Sequence, residues 1–173
     1  MDIKKVIQKR YSCRSYKDTP VSEEKLKSIL EAAQLAPSAS NRQPYKFIIV
    51  KDKRKREKLA EAAGQNFIAE APIVIAGVSL EPERIMSCEV PTYAVDVAIA
   101  MEHIALQACA EGLGSCWIGA FSQQEAKKIL GVPEEYKVVA LMPIGYSTDS
   151  QGLKERKNLE ELVDYEKFKI SKL

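Results

Sequence analysis

Apolar residues at 26, 29, 30, 33 and 36 recur with helical spacing. Ser22 is a candidate N-cap before them, Glu23 and Glu24 suit the positive helix start, and Pro37 stops the run. A shorter pattern at 3, 6 and 7 predicts a helix over Ile3 to Lys9. Phe47-Ile48-Ile49-Val50 signals a strand, and the charged stretch Asp52 to Ala63 returns to helical spacing until Gly64. Pro72 to Val78 is almost wholly apolar, as expected of a strand covered on both faces. Residues 92 to 111 make the longest helix candidate. It is apolar nearly all round, with Asp96, His103 and Gln107 as the main breaks, which suits a core or a subunit interface. Trp117-Ile118 suggests a short strand, Ser122 a capped helix to Leu130 ended by Gly131, and Val138 to Met142 a last strand. The sum is a mixed α+β domain of three or four strands and about five helices. From Thr148 the chain turns polar, and its few apolar anchors cannot form a core alone. We therefore expect one domain over residues 1–173, with 148–173 as an extended tail across the body of its own subunit or a partner's.

The 173 residues suit one domain with a sizeable core. With 26 basic and 24 acidic residues the net charge is +2, which argues against a nucleic-acid binder. The longest apolar run, Ala71 to Leu80, is too short to span a bilayer, and Met1 to Lys5 lacks the core of a signal peptide. A cytoplasmic protein is expected. Ser171-Lys172-Leu173 matches a peroxisomal address, but three residues in a Lys-rich tail match easily by accident. Cys13, Cys88, Cys109 and Cys116 form no C-x-x-C pair and read as reduced thiols. The single His103 has no metal-binding context, so no metal is expected.

No G-x-G-x-x-G follows a strand; Gly112-Leu113-Gly114-Ser115 follows a helix instead. A phosphate-binding G-x-x-x-x-G-K loop, a nucleophile elbow and a hydrolytic triad are also missing. Two segments stand out. Arg10-Tyr11-Ser12-Cys13-Arg14-Ser15-Tyr16 gathers two guanidinium groups, which match phosphate oxygens in bidentate fashion, and several hydroxyls. Ala36-Pro37-Ser38-Ala39-Ser40-Asn41-Arg42-Gln43-Pro44-Tyr45 is rich in amides and hydroxyls able to read the edge of a heterocycle. Taken alone, a solvated basic loop and an ordinary turn account for them more simply.

Together, and in this order, they resemble the nitroreductase family. That family opens with an Arg-x-Ser-x-Arg-like turn, followed by Ala-Pro-Ser-x-x-Asn-x-Gln-Pro-Trp; here Tyr45 stands where Trp is common. The resemblance continues through Glu111 to Phe121, Val132 to Tyr136, Met142 to Tyr146 and Lys154 to Glu161, and so covers nearly the whole chain. It implies an α+β sandwich round a central, mostly antiparallel sheet flanked by helices, an intertwined homodimer, and FMN at the subunit interface. Arg10, Ser12 and Arg14 would bind the phosphate, ribityl chain and pyrimidine side of one flavin, with Lys154 and Arg156 returning to the phosphate. Ile118 and Gly119 would present backbone amides beside flavin N5. Pro37, Ser38, Ser40 and Asn41 would cover the ring from the other subunit, and Asn66 would lie near the pyrimidine.

The implied activity is NAD(P)H-dependent: hydride passes from a nicotinamide through FMN to a nitroaromatic, quinone or similar acceptor. The cofactor performs the redox step, so no catalytic side chain is required. A non-catalytic flavin-binding module for storage or sensing is the alternative, and a flavin-free interaction protein a third reading. The inserted helical segment of larger members is nearly absent, and residues 79 to 92, with Cys88, sit where pocket-covering segments vary.

Overall fold

Side-chain caps begin four of the helices in a computed structural model that describes residues 2–149, 152 and 155–169. Asp2, Ser22, Asp52 and Ser122 each accept a backbone N–H from the first turn of α1 (Ile3–Lys9), α2 (Glu23–Gln34), α3 (Lys53–Ala63) and α6 (Gln123–Leu130). Gly64 and Gly131 end α3 and α6 in the left-handed conformation. The remaining helices are α4 (Phe67–Glu70), α5 (Thr92–Ala110) and α7 (Leu159–Leu162). α2 stops at Gln34, before Pro37, because the residue preceding a proline is pushed out of the helical region.

Four strands, β1 (Tyr45–Val50), β2 (Ile73–Ser79), β3 (Gly114–Ser115) and β4 (Lys137–Gly145), form one sheet in the order β1-β2-β4-β3, with every pairing antiparallel. Strand alternation divides the core in two. Ile73 and Ile75 face α2 and α5 with Met142 and Ile144, around Ile29, Met101 and Ile104. Val74, Ala76 and Val78 face α3, α4 and α6 with Val138 and Leu141, around Leu59, Ile68 and Ala126. Val138 and Ala140 fall on opposite sides because the register slips where Gly77 opposes Ala140 and Val78 opposes Val138. The protein is thus an α+β sandwich, with helices on both faces of an antiparallel sheet.

The short strand lies at Gly114–Ser115 rather than at Trp117-Ile118. Ile118 makes only an isolated bridge to Leu141. Pro143 interrupts the ladder between the two pairings: its carbonyl accepts from Cys116 N at 3.4 Å, but it has no N–H to return. α4, a single turn, carries no periodicity long enough to read in the sequence. Among the described residues no helix is long and apolar enough to cross a membrane. In the tail, Leu159, Leu162, Tyr165 and Phe168 are all exposed, Phe168 at 87%, so these side chains do not pack on their own body.

Candidate functional site

α1 ends at Lys9, and the chain then runs in extended form along the end of the sheet. Ser12 bridges Ser115 in parallel, and Cys13 N–H donates to Ser115 O at 3.0 Å. Tyr16 bridges Ser147, Lys17 N–H donates to Tyr146 O, and Thr148 N–H donates to Ser15 O. Three stretches far apart in sequence, 10–17, 114–116 and 145–149, are thereby laid side by side.

Extended backbone turns alternate side chains to opposite faces. Cys13 is fully buried against Gly114, where an added Cβ would stand 2.7 Å from Cys13 Cβ. Tyr11 turns toward Ser147, 2.6 Å from its hydroxyl. Arg10, Ser12 and Arg14 take the outward parity; Arg10 and Ser12 are half-buried and Arg14 is exposed. Arg10 Nε lies 3.7 Å from Glu102 on α5, and an Arg14 guanidinium nitrogen lies 3.5 Å from Ser12 O. Arg14 thus has no carboxylate partner among the described residues, and Arg10 has only the partly exposed Glu102.

Asp149 ties this turn together. Its carboxylate accepts from Tyr11 OH at 3.0 Å, Arg14 N–H at 3.2 Å, Cys13 Sγ at 3.3 Å and the Ser147 hydroxyl. Partial burial alone would raise its pKa, but the hydrogen bonds from Ser147, Arg14, Cys13 and Tyr11 outweigh that and hold the carboxyl below its usual range. Burial pushes the Cys13 thiol up, which makes it a poor nucleophile. Sequence reasoning missed Asp149, Ser147 and Glu102.

The second segment folds as a compact loop over a 3-10 turn, Ala39–Asn41. Ser40, Asn41 and Gln43 all have positive φ, at 54°, 52° and 50°. For non-glycine residues this costs on the order of 1 kcal/mol each, and such strain concentrates at functional sites. Ser38 Oγ accepts from Gln43 N–H at 3.0 Å, and Asn41 Oδ1 accepts from Gln43 Nε2 at 3.1 Å. Ala39 N–H donates to the buried Asp96 of α5 at 3.0 Å. Pro37, Ser40 and Asn41 are exposed. No described hydrogen bond or ion pair joins this loop directly to the 10–14 turn. Both touch α5, at Asp96 and Glu102, positions about 9 Å apart along the helix axis.

The Ile118 N–H donates to Leu141 O at 2.9 Å, so that amide is engaged with β4. Gly119, one residue on, is exposed, and its N–H has no partner among the described residues. Asn66 is exposed at the start of α4, its side chain not engaged as a cap. Arg156 is exposed and donates to Glu155 O at 3.3 Å. Lys154 and Ser171-Lys172-Leu173 lie outside the described residues. Among the described residues no group of three or more His, Cys, Asp or Glu could hold a metal, and His103 Nδ1 bonds Ala32 O at 3.1 Å. None of the four cysteines is in a disulfide; Cys13 and Cys116 are buried, Cys109 half-buried and Cys88 exposed.

The chain is 36% identical over 154 residues to a putative NADH dehydrogenase/NAD(P)H nitroreductase of Archaeoglobus fulgidus, covering 85% of this chain and 86% of that protein. A nitroreductase family protein from Clostridium novyi NT superposes with a TM-score of 0.82 at 37% identity, over 86% of this chain and 87% of the other. An FMN-dependent nitroreductase from Clostridium difficile R20291 superposes with a TM-score of 0.77 at 33% identity, over 97% and 98% of the two chains. The model of the Nitroreductase family matches residues 7–73 and 63–146, a span that holds the Arg10–Arg14 turn, the strained loop and the whole sheet, and the chain belongs to that family.

Proposed function

We propose that the protein is an FMN-dependent NAD(P)H oxidoreductase that passes reducing equivalents to a nitroaromatic, quinone or similar acceptor. The observation that carries this reading is the placing of Arg10, Ser12 and Arg14 on the outward face of one extended segment, with Tyr11 and Cys13 turned away. Two guanidinium groups and a hydroxyl on one face are a donor set that suits a phosphate ester in a chain without a glycine-rich phosphate loop. The relatives named above, one FMN-dependent and one an NAD(P)H nitroreductase, support the same cofactor and reductant.

When bound, FMN supplies the hydride-accepting chemistry. The chain's own residues bind and orient. Arg10 and Ser12, with Arg156 and Lys154 from the tail, hold the phosphate and ribityl end; Arg14 sets a positive charge at the pyrimidine end; Gly119 offers its free amide. Pro37, Ser38, Ser40 and Asn41 cover the ring from a second subunit of a homodimer, and Asn66 adds an amide at the rim. Exposed Ile3 and Ile7 on α1, together with the tail's exposed Leu159, Tyr165 and Phe168, are the apolar surface such a dimer would bury. In this reading residues 1–173 are one domain whose tail embraces the partner, in the cytoplasm.

The test is reconstitution. The purified protein should take up FMN and turn yellow, lose that colour anaerobically with NADH or NADPH, and regain it on adding a quinone. A protein that binds FMN but is not reduced would be a storage or sensing module. One that never binds FMN would defeat the proposal.

A further inference from the structure

We propose that Asp96 is a positioning residue of the flavin site: its buried carboxylate holds the Ser38–Gln43 loop in the shape needed to cover the ring. This rests on the reading of that loop given above. Asp96 lies on a helix that is otherwise nearly all apolar and is only 2% exposed. Ionisable side chains are rarely buried so completely without a specific task. Oδ1 accepts the Ala39 N–H at 3.0 Å. Oδ2 is buried without a partner among the described residues, as are Thr92 Oγ1, one turn earlier on α5, and Tyr45 OH, just past the loop. Burial and then the charge of Asp96 both raise the Tyr45 phenol.

A carboxylate with one hydrogen bond and an unmatched oxygen is a poor way to fill a core; an apolar side chain of similar size commonly serves stability as well or better. What Asp96 adds is a fixed acceptor under the loop. The hydrogen bonds from Gln43 to Ser38 and Asn41 are internal to the loop, and Arg42 pairs with Glu81 at the surface. The Ala39–Asp96 bond is the described hydrogen bond that ties residues 37–43 to the core helix. It grips the loop immediately before the positive-φ residues Ser40 and Asn41. The strained backbone is thereby held from below, and Ser40 and Asn41 are left exposed on the outer side.

Asp96→Leu removes the acceptor at similar volume, whereas Asp96→Asn keeps an oxygen for Ala39 N–H. Hydrogen–deuterium exchange on the flavin-free protein reads the loop; FMN titration reads the site. In Asp96→Leu, exchange in the peptide spanning 37–43 should quicken by about 10-fold or more while β2 stays protected, and FMN affinity should fall roughly 10-fold. Asp96→Asn should restore both to within about 3-fold. Ala39→Pro deletes the same hydrogen bond from the loop side with the core intact. It should also weaken FMN binding, and it keeps the test open where Asp96→Leu does not fold. Unchanged exchange in Asp96→Leu, faster exchange with unchanged FMN affinity, failure of Asp96→Asn to restore either, or wild-type FMN affinity in Ala39→Pro would each overturn the proposal. A wild-type protein that takes no FMN at all would instead remove the parent reading, and this one with it.

Discussion

The backbone amide of Arg14 donates to Asp149 Oδ2 at 3.2 Å, across 135 positions of sequence. Because this carboxyl is held below its usual range by its hydrogen bonds, its contribution to stability is present above the unfolded value, about pH 3.9. It is lost as the pH falls through the lower folded value. Asp149→Asn removes that charge and sets an amide among groups that are themselves donors. Melting temperatures of wild type and variant should therefore differ near pH 6 and converge toward pH 3. Parallel curves over that range would show that the turn does not depend on the ionised carboxylate.

Arg10 and Glu102, 3.7 Å apart and partly exposed, form a pair worth about 0–1 kcal/mol. A flavin phosphate would have to compete with that carboxylate. Glu102→Gln should tighten FMN binding by up to about 5-fold with little change in stability. Arg10→Ala should weaken binding roughly 10- to 100-fold, the loss of one charge-assisted contact. Cys13→Ala should leave affinity near wild type, since the thiol points inward. Fluorescence-quenching titrations of the three variants decide this, and equal affinity in Arg10→Ala and wild type would end the phosphate assignment.

Gly114 of β3 packs directly against Cys13 of the Arg10–Tyr16 segment. A Cβ there would stand 2.7 Å from Cys13 Cβ and 2.8 Å from Cys13 Sγ. Gly114→Ala should cost about 1–3 kcal/mol by overpacking and displace the residues on either side of Cys13. Adding Cys13→Gly removes both contacts, so the double variant should lose less stability than the two single losses added. Strict additivity in urea unfolding would mean that the clash is relieved elsewhere.

These relationships mark the limit of what the sequence discloses. Ser22 and Ser122 as caps, and Gly64 and Gly131 as stops, were legible because each acts within one helical turn. The two halves of the core followed from alternation in β2. Asp96, His103 and Gln107 were visible as breaks in an apolar helix; each bonds α2 or the loop beyond it, through Ala39 N, Ala32 O and Ser28 Oγ. Their partners were not legible, nor was Asp149, because nothing local in a sequence records a hydrogen bond made across 57 or 135 positions. The hydrogen bond of the Ile118 amide was hidden for the same reason: its acceptor, Leu141, lies on β4.

Arg14 separates binding from redox tuning. Its guanidinium is exposed and lies 3.5 Å from a backbone carbonyl of its own turn, without a carboxylate partner among the described residues. If it faces the flavin pyrimidine, its charge acts chiefly on the reduced, more negative cofactor. A unit charge within about 4 Å at an effective dielectric near 20 contributes on the order of 4 kcal/mol, and exposure should cut this severalfold. Arg14→Gln should then bind oxidised FMN nearly as well as wild type, yet show a clearly lower midpoint potential and slower reduction by NAD(P)H. Arg10→Gln should do the reverse, weakening binding with little change in potential, because the phosphate charge does not vary with redox state. Potentiometric titration of both flavin-saturated variants reads the contrast. An unchanged potential in Arg14→Gln would place its guanidinium away from the ring and leave Arg14 as a surface residue of a basic turn.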